Sequence, residues 1–139
     1  MKKIIPLAAI IVIALFSLFS FVSLGDKEHD KRLVGIWKGF EVDKQYEGVE
    51  KHWIQQRFEN GTYVIMFTSK QDCEIQTFTE KGKWWTKDGE FFEQSKSSKS
   101  IDVYKYTVDN PMVVSFKSVV LLGKKDDTYV FSDYKVDLD

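Results

Sequence analysis

Residues 53–67 read WIQQRFENGTYVIMF, two strand-like runs joined by Asn60-Gly61. Asn-Gly is a strong signal for a two-residue β-hairpin turn, because both turn positions then favour a positive φ. Successive strand residues point to opposite faces, so Tyr63, Ile65 and Phe67 share one side of the second run. The stretch therefore predicts an antiparallel hairpin with one largely aromatic face.

Similar turn signals recur at short intervals along the rest of the chain, at Asp88-Gly89, Asp109-Asn110-Pro111 and Gly123–Asp127. Alternation dominates after residue 33, and strong helical periodicity is absent. Residues 73–80 and 82–87 are either two strands or one strand bent at Gly82, so the count is eight or nine. The predicted strands are 34–42, 50–59, 62–69, 73–80, 82–87, 90–95, 100–108, 112–120 and 128–137.

Tight hairpins in series make sequence neighbours antiparallel partners, which gives an up-and-down meander. An open meander of eight strands exposes two unpaired edges, and closure into a barrel removes both. The sequence therefore predicts an all-β fold, an antiparallel up-and-down β-barrel of about eight strands over residues 33–139.

The first 25 residues differ sharply from this body. Lys2 and Lys3 precede Ile4–Val22, a run without a charge, and Ser23-Leu24-Gly25 fits a small-x-small cleavage site. These features predict an apolar N-terminal signal helix cut before Asp26. The run is long enough to span a bilayer, so an uncleaved anchor at residues 4–22 is the alternative. Both interpretations export the barrel to the periplasm, the cell envelope or the medium.

Composition restricts the partners of the exported part. The whole chain has 20 basic and 21 acidic side chains and a net charge of −1, with the two signs interspersed. No basic stripe is available to neutralise phosphates, so nucleic acid is not an expected partner. Contact with a membrane is expected only through the N-terminal segment, and residues 26–32 are interpreted as a charged tether. The single cysteine excludes an internal disulfide framework.

Catalytic and metal-binding patterns are weak. His29 and His52 are the two histidines, and neither adjoins a recognisable nucleophile motif. Cys73 is interpreted as a half-buried strand residue rather than a reactive thiol. We therefore expect no enzyme activity, no metal site and no cofactor. Four aspartates near the C-terminus are interpreted as solvated surface groups: Asp126, Asp127, Asp133 and Asp137.

Two Gly-x-Trp segments, Gly35-Ile36-Trp37 and Gly82-Lys83-Trp84, carry a family resemblance. With Leu33 before the first segment and the hairpin Phe58–Tyr63, the chain resembles small exported bacterial lipocalin-like proteins. The resemblance implies a barrel with an open mouth that holds a small apolar molecule. It also implies a basic residue over the first tryptophan, for which Lys135 is the better candidate and Arg32 the poorer one. The residues expected to close the barrel are Gly35, Trp37, Gly82, Trp84 and Lys135.

Barrels of about eight strands are either packed solid or hold one small ligand. We expect a small hydrophobic or amphipathic ligand to bind inside without being transformed. The alternative is a filled barrel that serves as an envelope protein–protein interaction module, with an unknown protein partner. The residues expected to line a ligand site are Trp53, Gln55, Tyr63, Ile65, Phe67, Phe78, Tyr104, Tyr106, Met112, Val114 and Phe116.

Overall fold

The computed structural model describes residues 26–138, which form nine strands after a short 3₁₀ turn at Lys31–Leu33. In this part of the chain no helix has the length and apolar character needed to cross a membrane. The expected signal helix and its cleavage site lie outside the described residues. The strands are β1 Gly35–Val42, β2 Val49–Arg57, β3 Thr62–Gln71, β4 Glu74–Lys87, β5 Glu90–Ser95, β6 Ile101–Asn110, β7 Val113–Leu121, β8 Lys124–Lys125 and β9 Val130–Lys135.

The strands close into a barrel. Each strand from β1 to β7 pairs antiparallel with the next strand in the sequence. Strand β9 lies between β7 and β1, and β8 pairs only with the end of β7. The pairing of β6 with β7 completes the ring, so eight strands form the wall and β8 is a small addition. The predicted eight-stranded up-and-down antiparallel barrel is confirmed.

The turns follow the predicted positions, with one correction. Asp88 and Gly89 have φ values of 52° and 78°, as a two-residue turn between β4 and β5 requires. At the β2–β3 hairpin only Gly61 has a positive φ, and the loop is longer than two residues because β2 ends at Arg57. The two-residue turn predicted at Asn60-Gly61 is therefore wrong, although the hairpin is present. Gly61 supplies the left-handed residue that longer hairpin loops commonly need.

Strand β4 is continuous through Gly82, which decides between the two strand counts. Gly82 pairs with Tyr63 on β3 and with Ser95 on β5. A Cβ atom at Gly82 would lie 2.0 Å from the carbonyl oxygen of Gln94 and 2.8 Å from the Tyr63 ring. Glycine is thus required here because the neighbouring backbone approaches too closely for a side chain.

Replacing Gly82 with alanine is expected to lower the free energy of unfolding by about 3 kcal/mol, because β5 must move to make room. Gly48→Ala is the control: nothing lies within 4 Å of a Cβ there, and only its φ of +74° opposes a side chain. We expect the strain of a positive φ to lower the free energy of unfolding of Gly48→Ala by about 1 kcal/mol. Urea denaturation followed by circular dichroism measures both variants, and equal losses would contradict the close-approach argument.

The segment expected to be a tether lies against one end of the barrel, here called the base. Glu28 exchanges two backbone hydrogen bonds with Thr86, at 2.9 and 2.6 Å. The His29 ring packs edge-on against Trp84 with 5.1 Å between ring centres. Asp30 accepts a hydrogen bond of 2.8 Å from the Tyr106 hydroxyl. Residues 28–30 therefore form a strap that closes the base by backbone pairing and side-chain packing.

Candidate functional site

The upper half of the barrel encloses a cavity of about 250 Å³ that opens at the end opposite the base. This volume is just below the range of roughly 300–1,000 Å³ that pockets for drug-sized ligands occupy. Its aromatic walls are formed by Trp53, Phe67, Tyr104 and Phe131. A molecule of the size of a single substituted aromatic ring fits this space, whereas a long-chain lipid does not.

Above the cavity lies the mouth, a wider open concavity of about 740 Å³. The β1–β2 loop borders it with Gln45 and Tyr46, and the projecting β3–β4 hairpin borders it with Phe67 and Phe78. Gln45, Tyr46 and Phe67 also line the inner cavity. The cavity is therefore reached from solvent through this mouth.

A chain of buried polar side chains forms the floor. Asp133 accepts a hydrogen bond of 2.7 Å from the Trp53 indole and pairs with Arg57 at 2.5 Å. Arg57 also donates to Gln55 at 2.7 Å, and Gln55 donates in turn to Glu93. Arg57 and Asp133 are 1% and 0% exposed. A buried ion pair with this many hydrogen bonds offsets much of the cost of removing two charges from water.

Aromatic rings surround the rest of the Arg57 guanidinium. Its carbon lies 5.0 Å from the centre of the Phe91 ring and 5.3 Å from that of Phe116. The Nε and Nη1 atoms have no hydrogen-bond partner among the described residues. Attraction between the cation and the ring faces partly compensates for these missing bonds. Arg57 thus joins the packed lower half of the barrel to the polar floor of the cavity.

A second ion pair lies near the mouth. Lys51 approaches Glu41 at 2.9 Å, and the Tyr129 hydroxyl donates to the same carboxylate at 2.6 Å. The Lys51 ammonium also lies 5.6 Å from the centre of the Trp53 ring. Both cations of the upper interior, Lys51 and Arg57, are therefore already paired with a carboxylate.

Three further carboxylates face the cavity from β4, β5 and β6: Glu80, Glu93 and Asp102. Each accepts a hydrogen bond only from a neutral donor, since Tyr63 donates to Glu80 at 2.6 Å and the Leu122 amide donates to Asp102 at 2.7 Å. None forms an ion pair within residues 26–138. Also within that range, no three acidic, histidine or cysteine side chains are close enough together to hold a metal ion.

Burial and repulsion between carboxylates raise the pKa of two of these groups, Glu93 and Asp102. Desolvation is the main cause that raises the pKa of Glu93 to about 7, with repulsion from Asp133 and Glu80 adding to it. The Arg57 charge and the Gln55 hydrogen bond act in the opposite direction. Desolvation likewise raises the pKa of Asp102, and Glu80 contributes. The cavity is therefore a site where negative charge is present but poorly compensated.

The raised pKa of Glu93 predicts a pH-dependent stability. An unfolded glutamate titrates near its usual pKa of about 4.3, so Glu93 does not lower the free energy of unfolding below that pH. Above it the unfolded state ionises first, and the free energy of unfolding falls as the pH rises through about 7. Glu93 is faced by Gln55 and Arg57 from β2, Asp133 from β9, Glu80 from β4 and Asp102 from β6.

We expect Glu93→Gln to be as stable as the parent protein at pH 4 and more stable at pH 8, by about 3 kcal/mol. Glu74→Gln, an exposed position on β4, should show no such trend. Thermal unfolding across this pH range measures the difference. If the difference in stability between the parent and Glu93→Gln does not change with pH, the raised pKa assigned to Glu93 is contradicted.

Seven of the expected lining residues face the interior around the cavity or its mouth: Trp53, Gln55, Tyr63, Ile65, Phe67, Tyr104 and Phe78. Tyr63 reaches this group through its hydrogen bond to Glu80. Phe78 lies directly opposite Phe67 but is 55% exposed, because that part of β4 projects beyond the barrel wall.

The other four expected lining residues lie below the cavity or outside it. Val114 and Phe116 are buried in the packed lower half. Tyr106 points toward the strap, where it donates to Asp30. Met112 is 43% exposed at the β6–β7 turn and contributes nothing to the interior. The structure thus divides the predicted set into an upper group around the cavity and a lower group remote from it.

The residues expected to close the barrel lie at the base. Trp37 is 0% exposed, and its indole donates to the Leu33 carbonyl at 2.8 Å. Trp84 donates to the Phe58 carbonyl at 3.1 Å. The Lys135 ammonium is 5.5 Å from the centre of the Trp37 ring and packs beside Gly35, whereas the Arg32 side chain pairs with Asp30.

Three other expectations concern reactive residues. Asp133 was expected on the solvated surface, and this is wrong because it is the buried partner of Arg57. Cys73 is a free cysteine in the β3–β4 turn and is exposed rather than half-buried. His52 is exposed on the outside of β2, 2.7 Å from Glu50 and away from the cavity.

Sequence reasoning missed the charged residues of the site. Arg57 lies on the same inward face of β2 as Trp53 and Gln55, and Asp133 lies on the same inward face of β9 as Phe131. A charged residue two positions from an inward-facing aromatic residue was the available signal for both.

The chain shows no match to any protein-family model and no significant match to a curated protein. Fold and site define a closed eight-stranded antiparallel barrel with a sealed base and a small, acidic interior cavity.

Proposed function

We propose that this protein is an exported, lipocalin-like barrel that binds a small amphipathic molecule in its interior without transforming it. The observation that carries the proposal is the cavity of about 250 Å³ that opens at one end of a barrel sealed at the other. Aromatic walls supply apolar burial, at about 25 cal/mol per Å², and the converging polar groups orient the ligand.

The position of the strap bears on how the barrel is presented. Residues 28–30 reach the barrel at its base, and the mouth lies at the other end. If residues 4–22 remain as a membrane anchor, the mouth faces away from the membrane and toward freely diffusing ligands. If the leader is cleaved, the same barrel is released.

Ligand uptake is tested with Phe67→Ser, which removes part of the cavity wall and of the mouth. The matched control is Met66→Ser on the outer face of the same strand. Native mass spectrometry of protein purified from its export compartment should show a bound small molecule in the parent and control. We expect its occupancy to fall at least about tenfold in Phe67→Ser, a loss of about 1.4 kcal/mol in binding. Equal occupancy in all three proteins, or none in the parent, contradicts the proposal.

A second candidate function is a protein-interaction module, favoured by an apolar patch outside the barrel. Phe40, Ile54, Val64 and Met66 are exposed on the adjacent strands β1, β2 and β3, and Ile54 lies directly opposite Met66. Exposed apolar groups on neighbouring strands are a feature of contact surfaces. Under this alternative, Ile54→Ser would abolish capture of an envelope protein, while Phe67→Ser would leave it intact.

A further inference from the structure

The charges of the upper interior do not balance. Five carboxylates face two cations there, and the pairs Lys51–Glu41 and Arg57–Asp133 use both cations. Three carboxylates, those of Glu80, Glu93 and Asp102, form no ion pair within the described range, and the Arg57 charge only partly offsets the desolvation of Glu93. An uncompensated carboxylate in a partly dry cavity is unfavourable, and an opposite charge placed beside it is correspondingly stabilising.

The three carboxylates lie on adjacent strands and face the same space. Glu93 on β5 and Asp102 on β6 are direct partners in the ladder, and Glu80 on β4 is close enough to act on the titration of both. All three line the cavity of about 250 Å³. They therefore form one negative wall rather than three separate surface charges.

A second feature of the cavity is the Tyr104 hydroxyl. Its side chain is 5% exposed and lines the cavity beside Asp102. The hydroxyl hydrogen-bonds to the Asp102 carboxylate and lowers the pKa of that group, against the larger effect of desolvation. A hydroxyl that donates to a carboxylate keeps its own lone pairs, so its oxygen still offers an acceptor to an incoming N–H group.

The opposite side of the cavity is aromatic. Trp53 and Phe131 pack edge-to-face with 5.7 Å between their ring centres, and Phe131 packs at a right angle to Tyr104. Ring faces attract an organic ammonium group and accommodate the apolar body that carries it. A strongly hydrated inorganic cation gains much less from such walls.

We infer that the cavity binds an organic cation, an amine or ammonium group attached to a small apolar body. The ammonium lies against the carboxylates of Glu80, Glu93 and Asp102 and donates to the Tyr104 hydroxyl, while the apolar part packs between Trp53 and Phe131. This inference rests on the proposed ligand-binding function and adds the charge of the ligand to it.

Three probes that share a phenylethyl body and differ in the charge of the head group test the inference: 2-phenylethylamine, 2-phenylethanol and 3-phenylpropionate. Titration calorimetry at pH 8 and the NMR shift of the Trp53 indole N–H report binding to the full chain. We expect the amine to bind at least about tenfold more tightly than the alcohol and the carboxylate more weakly than either. An alcohol or carboxylate that binds as tightly as the amine overturns the inference.

Neutral isosteres locate the effect. Glu80→Gln and Asp102→Asn keep an acceptor for Tyr63 and for the Leu122 amide, and they remove repulsion, so both variants should fold. Each is expected to weaken amine binding about tenfold and to leave alcohol binding unchanged, whereas Glu74→Gln on the exposed part of β4 changes neither. Unchanged amine binding in both isosteres overturns the inference.

The outcomes separate the two proposals. Binding of the alcohol or the carboxylate in preference to the amine removes the inference about charge and leaves the ligand-binding function in place. If no probe binds and no small molecule copurifies with the parent protein, both proposals fail together.

Discussion

Replacing Asp133 with alanine is expected to lower the free energy of unfolding by about 3–5 kcal/mol, the cost of breaking a buried ion pair by removing one partner. The variant leaves the Arg57 guanidinium buried without an anion and removes the acceptor of the Trp53 indole. Arg57 cannot escape by losing its proton, because arginine stays charged at any accessible pH. Urea denaturation followed by circular dichroism gives the free energy.

Two comparisons show whether the loss comes from the unpaired charge. The double variant Arg57→Met/Asp133→Leu removes both charges and should recover most of the stability, since an apolar pair of similar volume replaces a buried ion pair well. Glu50→Gln breaks the exposed pair with His52 and should change stability by less than about 1 kcal/mol. A loss of that small size in Asp133→Ala would contradict the role assigned to the buried pair.

Trp37→Ala is expected to destabilise the protein by about 3–5 kcal/mol, the usual range for removing a fully buried large aromatic side chain. Trp37 fills the base of the barrel and packs beneath Arg57, whose guanidinium carbon lies 5.9 Å from the centre of its ring. Its removal opens a void and leaves the Leu33 carbonyl without its donor. The same denaturation experiment measures the loss.

Trp37→Phe is the graded control, because it keeps an aromatic ring in the base and loses only part of the volume and the hydrogen bond. We expect it to retain more than half of the stability lost in the alanine variant. Tyr46→Ala, at an exposed aromatic residue of the mouth, should stay within about 0.5 kcal/mol of the parent. If Trp37→Ala loses no more free energy of unfolding than Tyr46→Ala, the stability of the base does not depend on the Trp37 side chain.

These two residues also mark two different parts of one interior. Trp37 lies in the packed lower half, whereas Asp133 lies at the floor of the cavity and touches Trp53. The lower half is filled by apolar side chains such as Trp37, Phe91 and Phe116, whereas the upper half carries five carboxylates and two cations. A barrel that is only stable has no need of the second arrangement, and the proposal of a ligand in the upper half rests on this difference.

The sequence alone predicted the architecture because strand architecture depends on local rules. Alternation defines two faces, and turn residues at Asp88-Gly89 and Asn60-Gly61 join neighbours in order. The error at Asn60-Gly61 concerned only the loop length, since a hairpin forms with a loop of two or more residues. The buried positions of Trp53, Tyr63, Ile65 and Tyr104 followed from the same alternation.

The sequence determined a series of hairpins with one aromatic face each, and this was enough to predict a closed antiparallel barrel. Only the tertiary structure decided which inward residues pack the base and which surround the cavity, because alternation gives the face of a residue but not its height along the barrel axis. The pairing of Arg57 with Asp133 likewise joins residues 76 positions apart. Closure of the sheet brings such side chains together, and their position in the closed barrel decides whether a charge lies in solvent or beside the cavity.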